Sequence, residues 1–212
     1  MAVASGERVR QAAVKLFAAK GFHGTGIREL AREARLSSAS LYHYMGTKEE
    51  LLAGIMRDCL GRLLAAAGQA IDGVADPRER MGRLVALHVL THARQPDETK
   101  VVDDEVHALS PRLRRPVVEL RDAYERLWAD AVDAGLREGV FHTQRPAVTR
   151  KALLAMCNGV ARWYAPRGPL SLDDLAEHYA LLALRALGGE RPGTGPDLAV
   201  CRAVVAATWR PG

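Results

Sequence analysis

The sequence predicts an all-α fold, and three observations carry that expectation. Apolar residues recur at three- and four-residue spacing through almost every segment, no stretch shows the two-residue alternation of a half-buried strand, and glycine, proline and hydroxyl residues stand where helices would start and stop. The chain has 212 residues, of which 48% are hydrophobic, so it can bury a sizeable core as one large domain or two modest ones. Its three cysteines, Cys59, Cys157 and Cys201, are scattered and show neither CxxC nor metal spacing, which fits buried thiols in a reducing compartment. No charged leader with an apolar core opens the sequence, and no apolar run approaches the length that spans a bilayer. The expectation is a cytoplasmic protein with no membrane partner. No internal repeat appears, and no low-complexity tract beyond alanine enrichment.

The elements follow in order. Residues 1–5 are expected to be a loose tail, followed by a helix from about Gly6 to Lys20 that places Val9, Ala12, Ala13, Leu16 and Phe17 on one face before Gly21 ends it. Arg8 and Arg10, near its start, are placed to touch phosphate, although solvated surface charge is the commoner reading of such residues. A short amphipathic helix carries Ile27, Leu30, Ala31 and Ala34 on one face, and a turn follows at Arg35 and Leu36. Ser37 then N-caps a second helix whose Leu41 and Met45 face inward, and two short helices around a tight turn make a helix-turn-helix. Thr47 and Glu50 form a capping box for a long helix to about Gly68, with Leu51, Leu52, Ile55, Met56, Cys59, Leu60, Leu63 and Leu64 as its apolar face. This helix, residues 47–68, begins at the motif and runs into the remainder of the chain, which makes it the natural mechanical link.

Beyond the break at Gly73 to Pro77 the pattern stays helical, with Met81, Leu84, Val85, His88, Val89 and His92 on one face as far as Gln95-Pro96. Asp97 to Leu109 is short and acidic. Ser110-Pro111 restarts a helix, and Pro116 either kinks it or opens the segment to Gly139, which is striped by Leu120, Tyr124, Leu127, Trp128, Ala131 and Leu136. Two alanine- and leucine-rich helices follow, Pro146 to about Tyr164 and Ser171 to Leu187, separated by the rigid loop APRGP, with Ser171 and Asp174 suited to cap the second. As the last long helices of the chain they are the expected homodimer interface, packing as a four-helix bundle. A GGERPGTGP link and a short apolar stretch from Leu198 to Trp209 close the chain.

The second helix of the motif has the composition of a DNA reader. Ser38, Ser40, Tyr42, His43 and Tyr44 can donate to phosphate oxygens and base edges, and none is long enough to hold the helix away from a major groove. Lys48 lies in the first turn of the next helix, near the place where a phosphate would sit. The net charge of +5 and pI near 9.4 favour a polyanionic partner, yet residues 1–60 hold nine Lys/Arg against six Asp/Glu, a balance of only +3, so the motif carries more weight than the charge. Two core helices with a polar outer face would explain any one of these features but not their coincidence at this spacing.

L-S-x-x-S-L-Y-H-Y at Leu36 to Tyr44, T-K-E-E-L at Thr47 to Leu51 and F-A-A-K-G-F at Phe17 to Phe22 resemble the TetR family of bacterial transcriptional repressors. The resemblance implies a homodimer on a palindromic DNA operator, and the resulting DNA-binding set is Thr25, Arg28, Ser37, Ser38, Ser40, Tyr42, His43, Tyr44 and Lys48. Three positions depart from the family pattern: Gly26 stands where a hydroxyl residue caps the first helix of the motif, Arg35 where a turn glycine is usual, and Met45 where a phenylalanine is. Thr25 is then expected to take over the capping. Arg35 would cost about 1 kcal/mol in a left-handed conformation, part of it recoverable on a phosphate.

A second candidate site lies at Asn158 to Ser171, NGVARWYAPRGPLS. Aromatics at a helix end are usually packing and arginines there often satisfy the last carbonyls, while the functional reading has Arg162 and Arg167 meeting an anion and Trp163 and Tyr164 walling a pocket. The W-Y-x-P-x-G-P-L-S ending is similar to the TetR subgroup that responds to acyl-CoA thioesters, including regulators of fatty acid and sterol degradation, over roughly residues 100 to 187. A small-molecule effector, an acyl-CoA, is therefore expected, with His88, Tyr124 and Trp128 completing the ligand set; a drug or aromatic metabolite is the alternative. His88 and His92, one helical turn apart, with His107, Asp103 and Asp104, form the best candidate for a metal or hydrolytic centre, although two histidines on an apolar helix face are more often core or pocket-lining residues. No nucleophile, base and orienting group recur together, and the glycines lack a phosphate-loop context, so neither an enzyme nor a cofactor is expected. The expected organisation is a three-helix DNA-binding domain over residues 1–50, a helical ligand-binding and dimerisation domain over residues 51–188, and an extension over residues 189–212 outside the resemblance. A constitutive architectural DNA-binding protein is the reading from outside the ligand-responsive class.

Overall fold

Helical periodicity prevails in the structure: the computed structural model describes residues 2–189 and 195–209, and among them there is no strand. The helices are α1 (Ala2–Lys20), α2 (Ile27–Glu33), α3 (Ser38–Met45), α4 (Lys48–Ile71), α5 (Pro77–Arg94), α6 (Pro96–Asp104), α7 (Pro111–Arg137), α8 (Pro146–Asn158), α9 (Val160–Trp163), α10 (Leu172–Ala186) and α11 (Leu198–Thr208), with a 3-10 turn at Val106–Ala108. Residues 190–194 of the expected GGERPGTGP link lie outside the described residues. The chain divides into two compact units, one of residues up to 61 with 97–121, the other of 62–96 with 122 onward, and the division falls inside α4 and α7.

In the first unit, Val9, Ala13 and Phe17 of α1 close over Leu30, Leu41, Leu52, Ile55 and Met56. α1 starts at Ala2 rather than near Gly6 and ends as expected at Gly21, whose φ of 75° a side chain would resist. The acidic segment after residue 97 belongs to this unit, because its apolar residues Val101, Val102, Val106 and Leu109 enter the same core. Glu98, nearly fully buried, is paired with Arg10, and the Glu49 carboxylate accepts the Ser110 N–H at 2.6 Å to hold the start of α7. α7 continues through Pro116. The donor that proline lacks would have served the Arg112 carbonyl, in an exposed first turn where water can replace it.

The second unit is built around α5, which starts at Pro77 behind an Asp76 cap. The sequence marks one apolar face on this helix, but Ala86, Leu87, Leu90 and Thr91 are buried as well, since α8, α9, α10 and α11 all pack against it. The expected single helix from Pro146 to Tyr164 is interrupted at Gly159, where the Arg162 N–H reaches back only three residues to the Gly159 carbonyl at 3.0 Å, leaving α8 and a single turn, α9. α10 begins as expected, with Ser171 Oγ accepting the Asp174 N–H at 3.1 Å. Gly135 of α7 is pressed by the Phe141 ring, so that a Cβ there would lie 2.0 Å from a ring carbon. The extension contributes to this unit too: Cys201 and Val205 of α11 are buried in its core, Asp197 caps the helix on Ala199 and Val200, and a Cβ on Gly82 would meet Pro196 at 2.9 Å. All three cysteines are buried thiols, as expected.

Candidate functional site

α3 is held by its ends and its inner face. Ser37 Oγ accepts the Ser40 N–H at 3.1 Å and lies 2.9 Å from Ser40 Oγ, and Leu41 and Met45 are buried beneath. What remains outward is Ser38, Ala39, Tyr42, His43 and Tyr44, with Tyr42 53% exposed and the His43 and Tyr44 rings edge to face at 5.1 Å. A 53% exposed tyrosine on a short helix serves no core. After Gly46, Thr47 and Glu50 form the expected capping box: Glu50 Oε2 accepts from Thr47 N–H (2.9 Å) and Oγ1 (3.0 Å), and Thr47 Oγ1 accepts the Glu50 N–H at 3.0 Å. These bonds, that to the backbone N–H foremost, hold the Glu50 carboxyl below its ordinary pKa.

The remaining residues of the expected DNA-binding set are placed less uniformly. Arg28 is exposed in the first turn of α2, whereas Thr25 is buried and donates its hydroxyl to the Gly21 carbonyl at 2.9 Å. The expected capping by Thr25 does not occur: Gly26 is the N-cap of α2 and no side chain bonds there, because the Thr25 hydroxyl is turned back into the preceding loop. Lys48 donates to the Phe22 and Thr25 carbonyls, each at 2.8 Å, and lies 4.2 Å above the Phe22 ring, its pKa lowered by partial burial. It braces the start of α4 against the loop that precedes α2. Between α2 and α3, Arg35 has a φ of 55° and completes a Schellman ending, with Leu36 N–H to Ala31 O at 2.9 Å and Arg35 N–H to Arg32 O at 3.1 Å.

The expected ligand residues separate into two groups in the second unit. His88, Tyr124 and Trp128 are buried together: His88 Nδ1 lies 2.9 Å from the Tyr124 hydroxyl, His88 Nε2 lies 2.8 Å from Asn158 Oδ1, and the Trp128 ring stands edge-on to His88 at 5.6 Å. With Nε2–H donating to the Asn158 oxygen, Nδ1 accepts from the tyrosine and the ring is neutral. Burial first, and the neighbouring His92 second, hold the His88 pKa well below its usual 6.5. Trp128 Nε1 and Thr91 Oγ1, both buried, have no hydrogen-bond partner among the described residues. Arg162, Trp163 and Arg167, by contrast, are exposed at and after the end of α9, with Trp163 stacked on Tyr179 at 6.4 Å and Tyr164 half-buried, its hydroxyl 3.4 Å from the Leu170 carbonyl. Asn158 and Thr91 were not in the sequence-derived set. Asn158 is 70 residues from His88, and no periodicity links them.

The histidines do not converge as metal ligands. His88 and His92 stack face to face at 3.9 Å, both His88 nitrogens are engaged, and His92 Nδ1 donates to the His88 carbonyl at 3.0 Å, while His107 lies exposed in the other unit. Among the described residues, no group of three or more His, Cys, Asp or Glu is arranged to hold a metal ion, and no helix is long and apolar enough to cross a membrane.

Comparison with known proteins places both halves of this arrangement. Residues 9–55 match the family described as bacterial regulatory proteins, tetR family, and residues 74–187 match the tetracyclin repressor-like C-terminal domain. The HTH-type transcriptional repressor KstR2 of Mycobacterium tuberculosis is 28% identical over 180 residues, 84% of this chain and 90% of its own. The TetR family transcriptional regulator PfmR from Thermus thermophilus is 35% identical, with a TM-score of 0.75 over 87% of this chain and 100% of that one. AibR, solved in complex with isovaleryl coenzyme A and operator DNA, shares the fold at a TM-score of 0.77 and 22% identity, over 84% of this chain and 97% of its own.

Proposed function

Since the chain belongs to the TetR family and is a DNA-binding transcriptional repressor of that type rather than an enzyme, we propose that it grips a near-palindromic operator as a homodimer and is released by an acyl-CoA thioester. The observation that carries the DNA half is α3, capped by Ser37, anchored by Leu41 and Met45, and presenting Tyr42, His43 and Tyr44 outward. In this reading residues 1–50 read DNA, residues 51–188 bind the effector and dimerise through α8, α9 and α10, and residues 189–212 are an extension that adds α11 to the second unit.

The effector half rests on chemistry at the end of α9. Arg162 and Arg167 offer cations for the phosphates of a nucleotide head, beside the apolar surfaces of Trp163 and Tyr164, and the interior set of His88, Tyr124, Asn158 and Trp128 offers neutral polar groups for a thioester carbonyl. AibR, with this fold, is a protein seen holding both isovaleryl coenzyme A and operator DNA. The interior aromatic cluster also favours a second reading, an aromatic metabolite or drug as effector, because tilted and edge-on rings of this kind pack well against a further aromatic ring. In either case a coupling of about 1 to 3 kcal/mol suffices, delivered by tilting α4 and with it α3.

The test is a titration of acyl-CoAs, the matching free acids and cationic aromatics against the complex of protein and operator. Acyl-CoAs should dissociate it where free acids do not, and Arg162→Ala and Trp163→Ala should leave operator binding intact while blunting release. Dissociation by an aromatic compound alone would replace the thioester with the second reading.

A further inference from the structure

We propose that the groove beside the turn between α2 and α3, walled by Arg8, Lys15 and Arg35, takes a backbone phosphate of DNA next to the half-site that α3 reads. The inference rests on the DNA-binding reading above and joins in one groove two cations, Arg8 and Arg35, that the sequence offers only as separate phosphate contacts.

The first observation is Arg35 itself. A φ of 55° just past the C-cap of α2 suits glycine, and any other side chain there is strained. Two backbone hydrogen bonds close the turn, as they would for glycine, while the side chain adds nothing to it: Arg35 is exposed, and its guanidinium has no hydrogen bond or ion pair among the described residues. Strained backbone with an uncommitted charged side chain is the pattern of a residue whose partner is another molecule.

The second observation is the groove, about 350 Å³, lined by Arg8, Gln11, Ala12, Lys15, Glu33, Ala34 and Arg35. Three cations face one carboxylate, and that carboxylate is already taken by Lys15 at 2.6 Å. Among the described residues, Arg8 donates to the Ser5 hydroxyl at 3.0 Å and to no carboxylate. Two guanidiniums therefore remain to donate to an anion, the Gln11 amide being already bonded to Glu7 at 3.1 Å, and a guanidinium fork matches two oxygens of one phosphate. Position selects which anion. Arg35 stands two residues before Ser37, the cap of α3, so an anion in this groove lies beside the start of the helix that enters the major groove.

Arg35→Gly separates this role from a structural one, because glycine relieves the strain and cannot unfold the turn. The probe is the duplex that the wild-type protein enriches from a randomised pool. Arg35→Gly should melt at or above the wild-type temperature yet bind that duplex about fivefold or more weakly at low salt. The slope of log affinity against log salt should be shallower by about one unit, with the preferred sequence unchanged, and Arg8→Ala should act in the same direction. Tyr42→Ala is the control, expected to lose sequence preference. Wild-type affinity and slope in Arg35→Gly, alongside a loss in Tyr42→Ala, would overturn the phosphate site and leave the DNA reading standing. A wild-type chain that enriches no duplex would defeat the DNA reading, and this inference with it.

Discussion

His88 has both ring nitrogens committed, one to Tyr124 and one to Asn158, and its pKa is depressed by burial and by the ring of His92 stacked upon it. The unfolded chain binds a proton there near the ordinary value of 6.5, while the folded chain does not. The stability tied to the neutral ring is therefore complete above that pH and is lost as pH falls below it, by at most about 1.4 kcal/mol per pH unit for one group. Melting temperatures followed from about pH 7.5 to 5 should fall on the acid side, and His88→Gln should flatten that limb. An acid slope unchanged by the substitution would assign it to other groups. Lys48 makes the same point about position: a cation in the first turn of a helix reads from sequence as a phosphate contact, but two carbonyls and an aromatic ring from 23 to 26 residues earlier occupy it. Such partners leave no trace in local spacing.

Among the elements, most caps were legible, the expected one at Thr25 being the exception, and interruptions were not. Ser37, Thr47 with Glu50, and Ser171 all cap as their spacing implies, since a cap and its amide lie within three residues of each other. The break at Gly159 and the uninterrupted passage of α7 through Pro116 depend instead on packing and on which carbonyl loses its donor. α7 yields a sharp test at Gly135, where an added Cβ would sit 2.0 Å from the Phe141 ring. Gly135→Ala should raise intrinsic helix propensity yet destabilise the protein by about 1 to 3 kcal/mol, because the ring must move out of a packed site. Urea unfolding gives the sign directly. A midpoint at or above wild type would mean that Phe141 repacks without cost.

For the whole molecule, the proposed dimer has consequences for both DNA and solution behaviour. Two copies of α3 in successive major grooves require operator half-sites about 34 to 36 Å apart. The protein should sediment as a dimer without DNA, and Ala155→Arg, on the exposed side of α8, should yield a monomer with weakened operator binding. A wild-type monomer that binds a single half-site at full strength would end the dimer proposal.

The sequence by itself determined the all-α class, the helix-turn-helix and the family, because periodicity, caps and turn residues act over a few residues and are written in their spacing. Tertiary structure alone decided that Asn158 meets His88 across 70 residues, that Lys48 is drawn onto carbonyls of the loop before α2, and that residues 97–121 enter the core of the first unit. It also decided that α11, outside the recognisable pattern, helps close the core around α5. Contacts of this kind are selected by shape and by the cost of leaving a buried polar group unpaired, and both exist only once distant segments have been brought together.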